Sequence, residues 1–303
     1  MTNPLMINYN LTIVIVTFNS SEIIKQSLEN IDCNKYLLII VDNASTDNTV
    51  AVIESSFPSL KIIKNSKNIG YGRANNIALR QVETEFALLL NADATIDSEN
   101  IDKVIGLIKE NQDIAISGPL LFTKKYVDKN NFEEILITKI NKKVRKYYEN
   151  NNFYFNQFIT GASMFLNMNA MKDIGFFDEG FFLYCEDNEI CKRAIKHNYK
   201  TTIVKNTKFY HVSGGSCKIS EKERRIVDWH RLGWSKLYYT EKVWGLFVAK
   251  LKAIRMILKF SFLCLKYFFR NYKIPNNEYC GLKGSVGYLV GLKAFDKNDN
   301  PRG

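Results

Sequence analysis

The chain has 303 residues, 46% of them hydrophobic and 24% charged, with a formal net charge of +11. This length can bury a large core, as one domain of about 200–250 residues with an appendage or as two domains, and it is long enough for an enzyme. Its six cysteines, Cys33, Cys185, Cys191, Cys217, Cys264 and Cys280, form no Cys-x-x-Cys pair and no metal-finger spacing. No basic-then-apolar leader opens the chain, so free thiols in a reducing, cytosolic setting are expected.

The charge is unevenly placed. Residues 1–214 hold 24 Lys and Arg against 24 Asp and Glu, whereas residues 215–303 hold 18 against 7, so the whole excess lies in the last part. A basic segment on a neutral body points to an anionic partner, phospholipid or nucleic acid, or else to a solvated lysine-rich face.

In chain order, Leu11–Thr17 is β-branched and apolar, and a helical pattern follows over about 22–31. Residues 36–41 (YLLIIV) repeat the apolar run, with Val50, Val52 and Ile53 on a second helix, and residues 60–63 give a third short strand. Asn68 to Asn76 opens the next helix and Phe86–Leu90 is the fourth strand, ending in Asn91-Ala92-Asp93. Strands alternating with helices over the first ~115 residues predict a Rossmann-like, mostly parallel sheet with right-handed crossovers.

Each strand delivers small polar or acidic residues at its carboxyl end: Thr17 and Asn19, Asp42 and Asn43, Asn91 and Asp93. A doubly wound sheet gathers such ends at one crevice, where open α/β sheets bind ligands. The competing reading of Asp93 is a residue that only turns the chain. Asp42 could accept from a base N–H, Gly70 and Gly72 would permit close backbone approach to a ligand, and Arg73 could meet phosphate bidentately. There is no Gly-x-Gly-x-x-Gly after the first strand and no Walker A lysine loop, so neither NAD binding nor P-loop hydrolysis is supported. A magnesium or manganese ion held by Asp93 would serve a diphosphate instead, since these hard cations sit between carboxylates and substrate phosphates.

The ordered motifs TFN at 17–19, VDNASTDNT at 41–49, NIGYGRANN at 68–76, LLNAD at 89–93, GAS at 161–163 with GFFDE at 175–179, YCED at 184–187 and HVSGGS at 211–216 carry a resemblance. Together, over about residues 10–240, they resemble inverting glycosyltransferases of family 2, most closely the rhamnosyltransferase-like branch. The resemblance implies a GT-A fold, with nucleotide-sugar binding by Thr17, Asn19, Asp42, Asn43, Gly70, Arg73, Asn91 and Asp93, and acceptor binding near Gly161, Ala162 and Ser163. It implies Asp93 and His211 as ligands of Mn2+ or Mg2+, and Asp187 as general base with Glu186 as second choice. The commoner metal motif, Asp-x-Asp, has Asn91 at its first position here, which leaves Asn91 acting through water or the ribose. A catalytically degenerate scaffold is the reading this departure keeps open.

Locally, Glu186 and Asp187 open a helical pattern, where acids also serve as simple complements to the helix dipole. His211 follows a short strand at 207–210 and precedes a Gly-Gly segment; taken alone such a histidine is more often structural, as His197 and His230 are expected to be. Residues 119–155 are polar, with the basic run Lys142, Lys143, Arg145 and Lys146, and are expected to be partly mobile near the acceptor or a plain surface loop.

From 243 to 272 the pattern is helical. At ~100° per residue, Lys252, Arg255, Lys259, Lys266 and Arg270 form one stripe, with aromatic and aliphatic residues over much of the remainder. No uninterrupted apolar stretch of ~20 residues occurs, which argues against a span and for helices lying in an anionic membrane interface. Packing on the catalytic domain or forming a homodimer are the competing uses. The aromatics lie opposite the basic stripe instead of interleaving with it, which disfavours a nucleic-acid partner. Residues 296–303 are expected to be a disordered tail.

The expectation is therefore a catalytic domain over 1–240, with a nucleotide-sugar half at about 10–118 and an acceptor half at about 119–240, followed by a membrane-association or dimerisation region at 241–303. Such a protein would be a metal-dependent inverting hexosyltransferase, bound peripherally to the inner face of the cell membrane. It would move a sugar from dTDP-rhamnose or a UDP-hexose to a lipid-linked or polysaccharide acceptor in bacterial cell-surface glycan synthesis.

Overall fold

The structure is a computed structural model that describes residues 10–95, 97–126, 132–136, 151–211, 219–270 and 275–303. Twelve strands are described: β1 Leu11–Thr17, β2 Leu37–Asp42, β3 Ile62–Lys64, β4 Phe86–Leu90, β5 Ala94–Thr95, β6 Ile114–Gly118, β7 Leu121–Tyr126, β8 Phe132–Leu136, β9 Phe153–Phe155, β10 Ser163–Asn167, β11 Lys200–Val204 and β12 Phe209–His211. The helices are α1 Ile24–Glu29, α2 Thr49–Ser56, α3 Tyr71–Leu79, α4 Ser98–Glu110, α5 Met168–Ile174, α6 Glu186–Lys196, α7 Glu221–Trp229, α8 Ser235–Trp244, α9 Leu246–Phe269 and α10 Asn276–Leu289, with a π-helical turn His230–Trp234 joining α7 to α8.

The main sheet runs β3-β2-β1-β4-β10-β6-β11-β9. Its first four strands are parallel, as the alternating pattern predicts. Successive side chains of a strand point to opposite faces, and here both faces are covered. Ile13, Ile15, Leu88 and Leu90 enter a core on one side, while Val14, Ala87 and Leu89 enter a second core on the other. That double burial is why β4 reads as an unbroken FALLL.

β10 was not evident from the pattern. It inserts antiparallel between β4 and β6, with Ser163 opposite Leu90. Because it runs against β4, its first residues lie at the carboxyl end of β4, which places Gly161 and Ala162 at the crevice. A second sheet, β5-β12-β7-β8, pairs His211 with Ala94. This pairing carries His211 to Asp93. The polar stretch expected at 119–155 thus contains β7 and β8, while the basic run at 142–146 lies outside the described residues.

One core cluster joins Trp229, Trp234 and Leu237 to Ala249, Ala253 and Tyr288, so the helices from Glu221 onward pack together across residue 240. Residues 294–303 are ordered and not a loose tail: Arg302 donates to Ala294 O at 2.9 Å, Phe295 and Pro301 form a bridge, and Phe295 is buried. Gly245, with φ of 89°, separates α8 from the single 24-residue α9.

Candidate active site

At the carboxyl end of β4 the chain turns through Asn91 and Asp93. Asp93 is buried, 4% exposed, and its Oδ1 lies 3.0 Å from His211 Nε2. Oδ1 nevertheless accepts no hydrogen bond, so the imidazole is close without being aligned to donate to it. Asn91 Nδ2 is 3.4 Å from the same Nε2.

A buried carboxylate oxygen without a donor, facing a ring nitrogen, is an unfavourable arrangement on its own. It suits a cation. Two ligands at right angles, each ~2.1 Å from magnesium, are ~3.0 Å apart, which is the separation found here. Among the described residues no group of three or more His, Cys, Asp and Glu could hold a metal. Asp93 and His211 could supply two ligands to a site of the kind that substrate phosphates complete.

The acid pair reaches this centre through the backbone. Asn91 N–H donates to Ala162 O at 3.0 Å, and Gly161 N–H lies 3.4 Å from Asp187 Oδ2. Asp187 Oδ1 also accepts from Asn188 N and Nδ2, at 2.8 and 3.1 Å. Both acids open α6 as predicted, preceded by Tyr184 and Cys185 with φ of 68° and 75°. Two consecutive non-glycine residues in the left-handed region carry a cost of about 1–3 kcal/mol each.

Burial raises the Asp187 carboxyl above the ordinary carboxylate range, partly offset by the donors from Asn188 and Gly161. Glu186 is raised as well, by burial first and then by the Asp187 charge. Glu186 is the more enclosed, 4% exposed, with Oε2 unpartnered, while Asp187 is half-buried and reachable. Such displaced pairs suit proton transfer near neutral pH.

The adjoining cleft, of about 430 Å³, is lined by Thr17, Asn43, Gly70 and Asn91, together with Tyr71, Phe182, Tyr184, Glu223, Ile226 and Pro301. Larger clefts of about 520 and 680 Å³ lie elsewhere and include none of the expected site residues. Thr17 Oγ1 and Asp42 Oδ1 are buried without hydrogen-bond partners, so both retain capacity for a ligand.

Other expected residues are committed to the protein itself. Asn43 holds the following loop, accepting from Asn65 Nδ2 and Ile69 N at 3.1 Å and donating to Asn68 Oδ1 at 2.9 Å. Asn19 Oδ1 accepts from Thr46 N at 2.8 Å. Gly70 lines the cleft, and a Cβ there would stand 2.2 Å from Phe182 O, so its own close approach is to protein backbone. Arg73 is likewise turned away from phosphate binding, bonded through Nη1 to Asp299 and through Nε to Glu179 O, both at 2.7 Å, and stacked 3.7 Å over Phe295. Ser163 is fully buried at the start of β10. The segment 213–216 after His211 lies outside the described residues.

Sequence reasoning did not find Tyr71, Phe182, Glu223 or Pro301. Tyr71 sat inside the quoted NIGYGRANN, and its hydroxyl donates to Gly161 O at 2.6 Å. Pro301 carries no local signal, because its position depends on the fold of the whole last segment.

The fold is an α/β domain of GT-A type, similar to that of GalNAc-T7, whose crystal structure holds UDP, GalNAc and Mn2+. The TM-score is 0.57 at 12% identity, covering 94% of this chain and 58% of that one. Residues 12–175, more than half the chain, match glycosyl transferase family 2, and the chain belongs to that family. It is 26% identical over 196 residues to the low-salt glycan biosynthesis hexosyltransferase Agl10 of Haloferax volcanii, covering 62% of each chain. It is also 26% identical over 205 residues to the rhamnosyltransferase WbbL of Escherichia coli K12, covering 60% of this chain and 75% of WbbL.

Proposed function

We propose that this protein transfers a sugar, with inversion, from a nucleotide diphosphate sugar to a glycan or lipid-linked acceptor. The observation that carries the reading is the 3.0 Å approach of His211 Nε2 to a buried Asp93 Oδ1 that accepts no hydrogen bond, with Asp187 tied to the neighbouring Asn91 through the Gly161–Ala162 backbone. Likeness to the hexosyltransferase and rhamnosyltransferase named above supports a hexose or rhamnose as the sugar moved, with a UDP-hexose or dTDP-rhamnose as the donor to test.

Asp93 and His211 would hold Mn2+ or Mg2+, and the ion, when bound, neutralises charge that builds on the leaving diphosphate. Thr17 and Asp42 would take polar groups of the nucleotide. Asp187 removes the proton from the acceptor hydroxyl as its oxygen attacks the anomeric carbon opposite the diphosphate. The new carbon–oxygen bond forms while the sugar–phosphate bond breaks, the pair of electrons leaves with the diphosphate, and the proton rests on Asp187.

The end of the chain supports a place at the inner face of the cell membrane. Among the described residues no helix is long and apolar enough to cross a membrane. α9 holds five Lys and Arg and no acid. At ~100° per residue it presents three faces. Ala249, Ala253, Met256 and Phe260 face the protein, Phe247, Leu251, Ile254, Leu258, Phe262 and Leu265 are exposed, and Lys252, Arg255, Lys259 and Lys266 flank that exposed strip. An apolar strip edged by cations fits an anionic bilayer surface.

Two measurements test the proposal. Donor turnover is expected to stop in EDTA and return with manganese; full turnover in chelator removes the metal role. Asp187→Asn is expected to cut transfer by about 10²-fold or more while leaving nucleotide binding intact, and an unchanged rate refutes the assignment of the base.

A further inference from the structure

A second pocket, of about 330 Å³, lies between α7 and α10 and carries three cations, Lys222, Arg225 and Lys283, over Trp229 and Tyr279. It shares Ile226 and Pro301 with the donor cleft, so the two cavities have one wall in common. Arg225 pairs with Glu221 at 2.8 Å. Lys222 and Lys283 are exposed, and among the described residues neither forms an ion pair; Lys283 stands 5.4 Å over the Tyr279 ring. No Asp or Glu side chain lines the pocket, which Gly303 closes at one end.

The same face of α10 continues past the cations. Tyr279, Lys283, Val286 and Val290 recur at spacings that keep them within about 60° of one another on a helix. Gly284, turned away from this face, packs against Gly233, and Gly287 on its flank packs against Trp229. Tyr279, Val286 and Val290 are 47%, 39% and 66% exposed. From Lys283 to Val290 the helix rises ~10 Å at 1.5 Å per residue. A cluster of cations therefore leads directly into an unpartnered apolar strip.

We infer that this groove binds an anionic amphiphile, with its phosphate or diphosphate between Lys222, Arg225 and Lys283 and its hydrocarbon chain along Val286 and Val290. The inference rests on the reading above of a lipid-linked acceptor and gives that acceptor a seat. The phosphate head would lie behind the Ile226 and Pro301 wall, leaving the carried sugar to enter the cleft. Three cations around one phosphate supply charge-assisted hydrogen bonds, and the strip accounts for selection of a lipid over a free anion.

The test is calorimetric titration of the full chain with octyl phosphate below its micelle concentration, with octanol and inorganic phosphate as separate arms. Octyl phosphate is expected to bind at least tenfold more tightly than either. Lys222→Ala combined with Lys283→Ala is expected to weaken it at least tenfold, with an unchanged thermal melt. Lys283→Glu alone is expected to do the same and guards against a loss specific to the double variant. Inorganic phosphate binding as tightly as octyl phosphate overturns the lipid assignment, and octanol binding as tightly overturns the phosphate site. Binding that neither variant disturbs places the ligand elsewhere and overturns the inference. Neither donor nor transfer enters these titrations, so failure of the transferase reading is seen separately, in the chelator and Asp187→Asn measurements.

Discussion

His211 Nε2 lies 3.0 Å from Asp93 Oδ1 because β12 and β5 pair antiparallel and set His211 opposite Ala94, the neighbour of Asp93. Two residues remote in sequence are thus held by backbone hydrogen bonds, so the pair is formed before any ligand arrives. Substituting His211→Gln is expected to weaken manganese binding in the presence of nucleoside diphosphate by about 10–100-fold. Electron paramagnetic resonance of free manganese measures this directly. Equal affinity in the variant would show that Asp93 and the diphosphate suffice.

The acid pair makes a prediction in pH. Asp187 is raised by burial, and it must be deprotonated to accept a proton. Transfer should therefore fall on acidification along a limb that lies above the ordinary carboxylate range of about 4. For stability the sign is the reverse of the usual ion-paired acid. Glu186 is raised in the folded state by burial and by Asp187, so its contribution is complete below the unfolded pKa and is lost as pH rises through the folded one. Glu186→Gln should thus stabilise the fold by about 1 kcal/mol or more at pH 7.5 and by much less near pH 4. Paired denaturant melts at the two pH values decide it, and a pH-independent gain would refute the charge-burial account.

Gly70 joins the two halves of the site. Its φ of 89° and the 2.2 Å approach of a Cβ to Phe182 O act together, while the next residue, Tyr71, donates its N–H to the same oxygen at 3.1 Å. Gly70→Ala is expected to destabilise the protein by about 2–4 kcal/mol through strain and a shifted Phe182. Because Phe182 and Tyr71 line the cleft, the Michaelis constant for donor should rise as well. Thermal melts and steady-state kinetics on the same sample test both parts.

The parallel half of the fold was legible because it is encoded locally: β1 and β4 are short apolar runs buried on both faces, and each ends in polar residues. The nearness of Asp93 to His211 and the place of Glu186 and Asp187 at the head of a helix were legible through motif order. Arg73 was misjudged for a physical reason. A guanidinium after a glycine-rich turn suits phosphate, but Asp299 and Phe295, more than two hundred residues later, bind it first. No local pattern announces a partner that arrives from the end of the chain. The antiparallel insertion of β10 was hidden likewise, since its SMFLN is as apolar as a parallel strand and direction is set by what precedes it.

The exposed strip of α9 yields a prediction that separates surface from core on one helix. Leu258 and Phe262 are 67% and 69% exposed, whereas Ala253 is fully buried against the helical core. Leu258→Glu with Phe262→Glu should leave the melting temperature within a few degrees, because neither side chain loses packing partners. The same pair should abolish co-sedimentation with vesicles containing phosphatidylserine, since it removes apolar burial of roughly 1.5–3 kcal/mol per side chain and adds charge that the bilayer repels. Ala253→Glu should instead unfold the helical region, by burying an unpaired carboxylate where no space exists. Salt adds a second reading: the cations beside the strip make binding weaker at 0.5 M than at 0.1 M sodium chloride, as the screening length shortens below about 10 Å. A double variant that still sediments with vesicles would assign the strip to another partner, and a second copy of the chain would then appear as a dimer by light scattering in the parent and not in the variant.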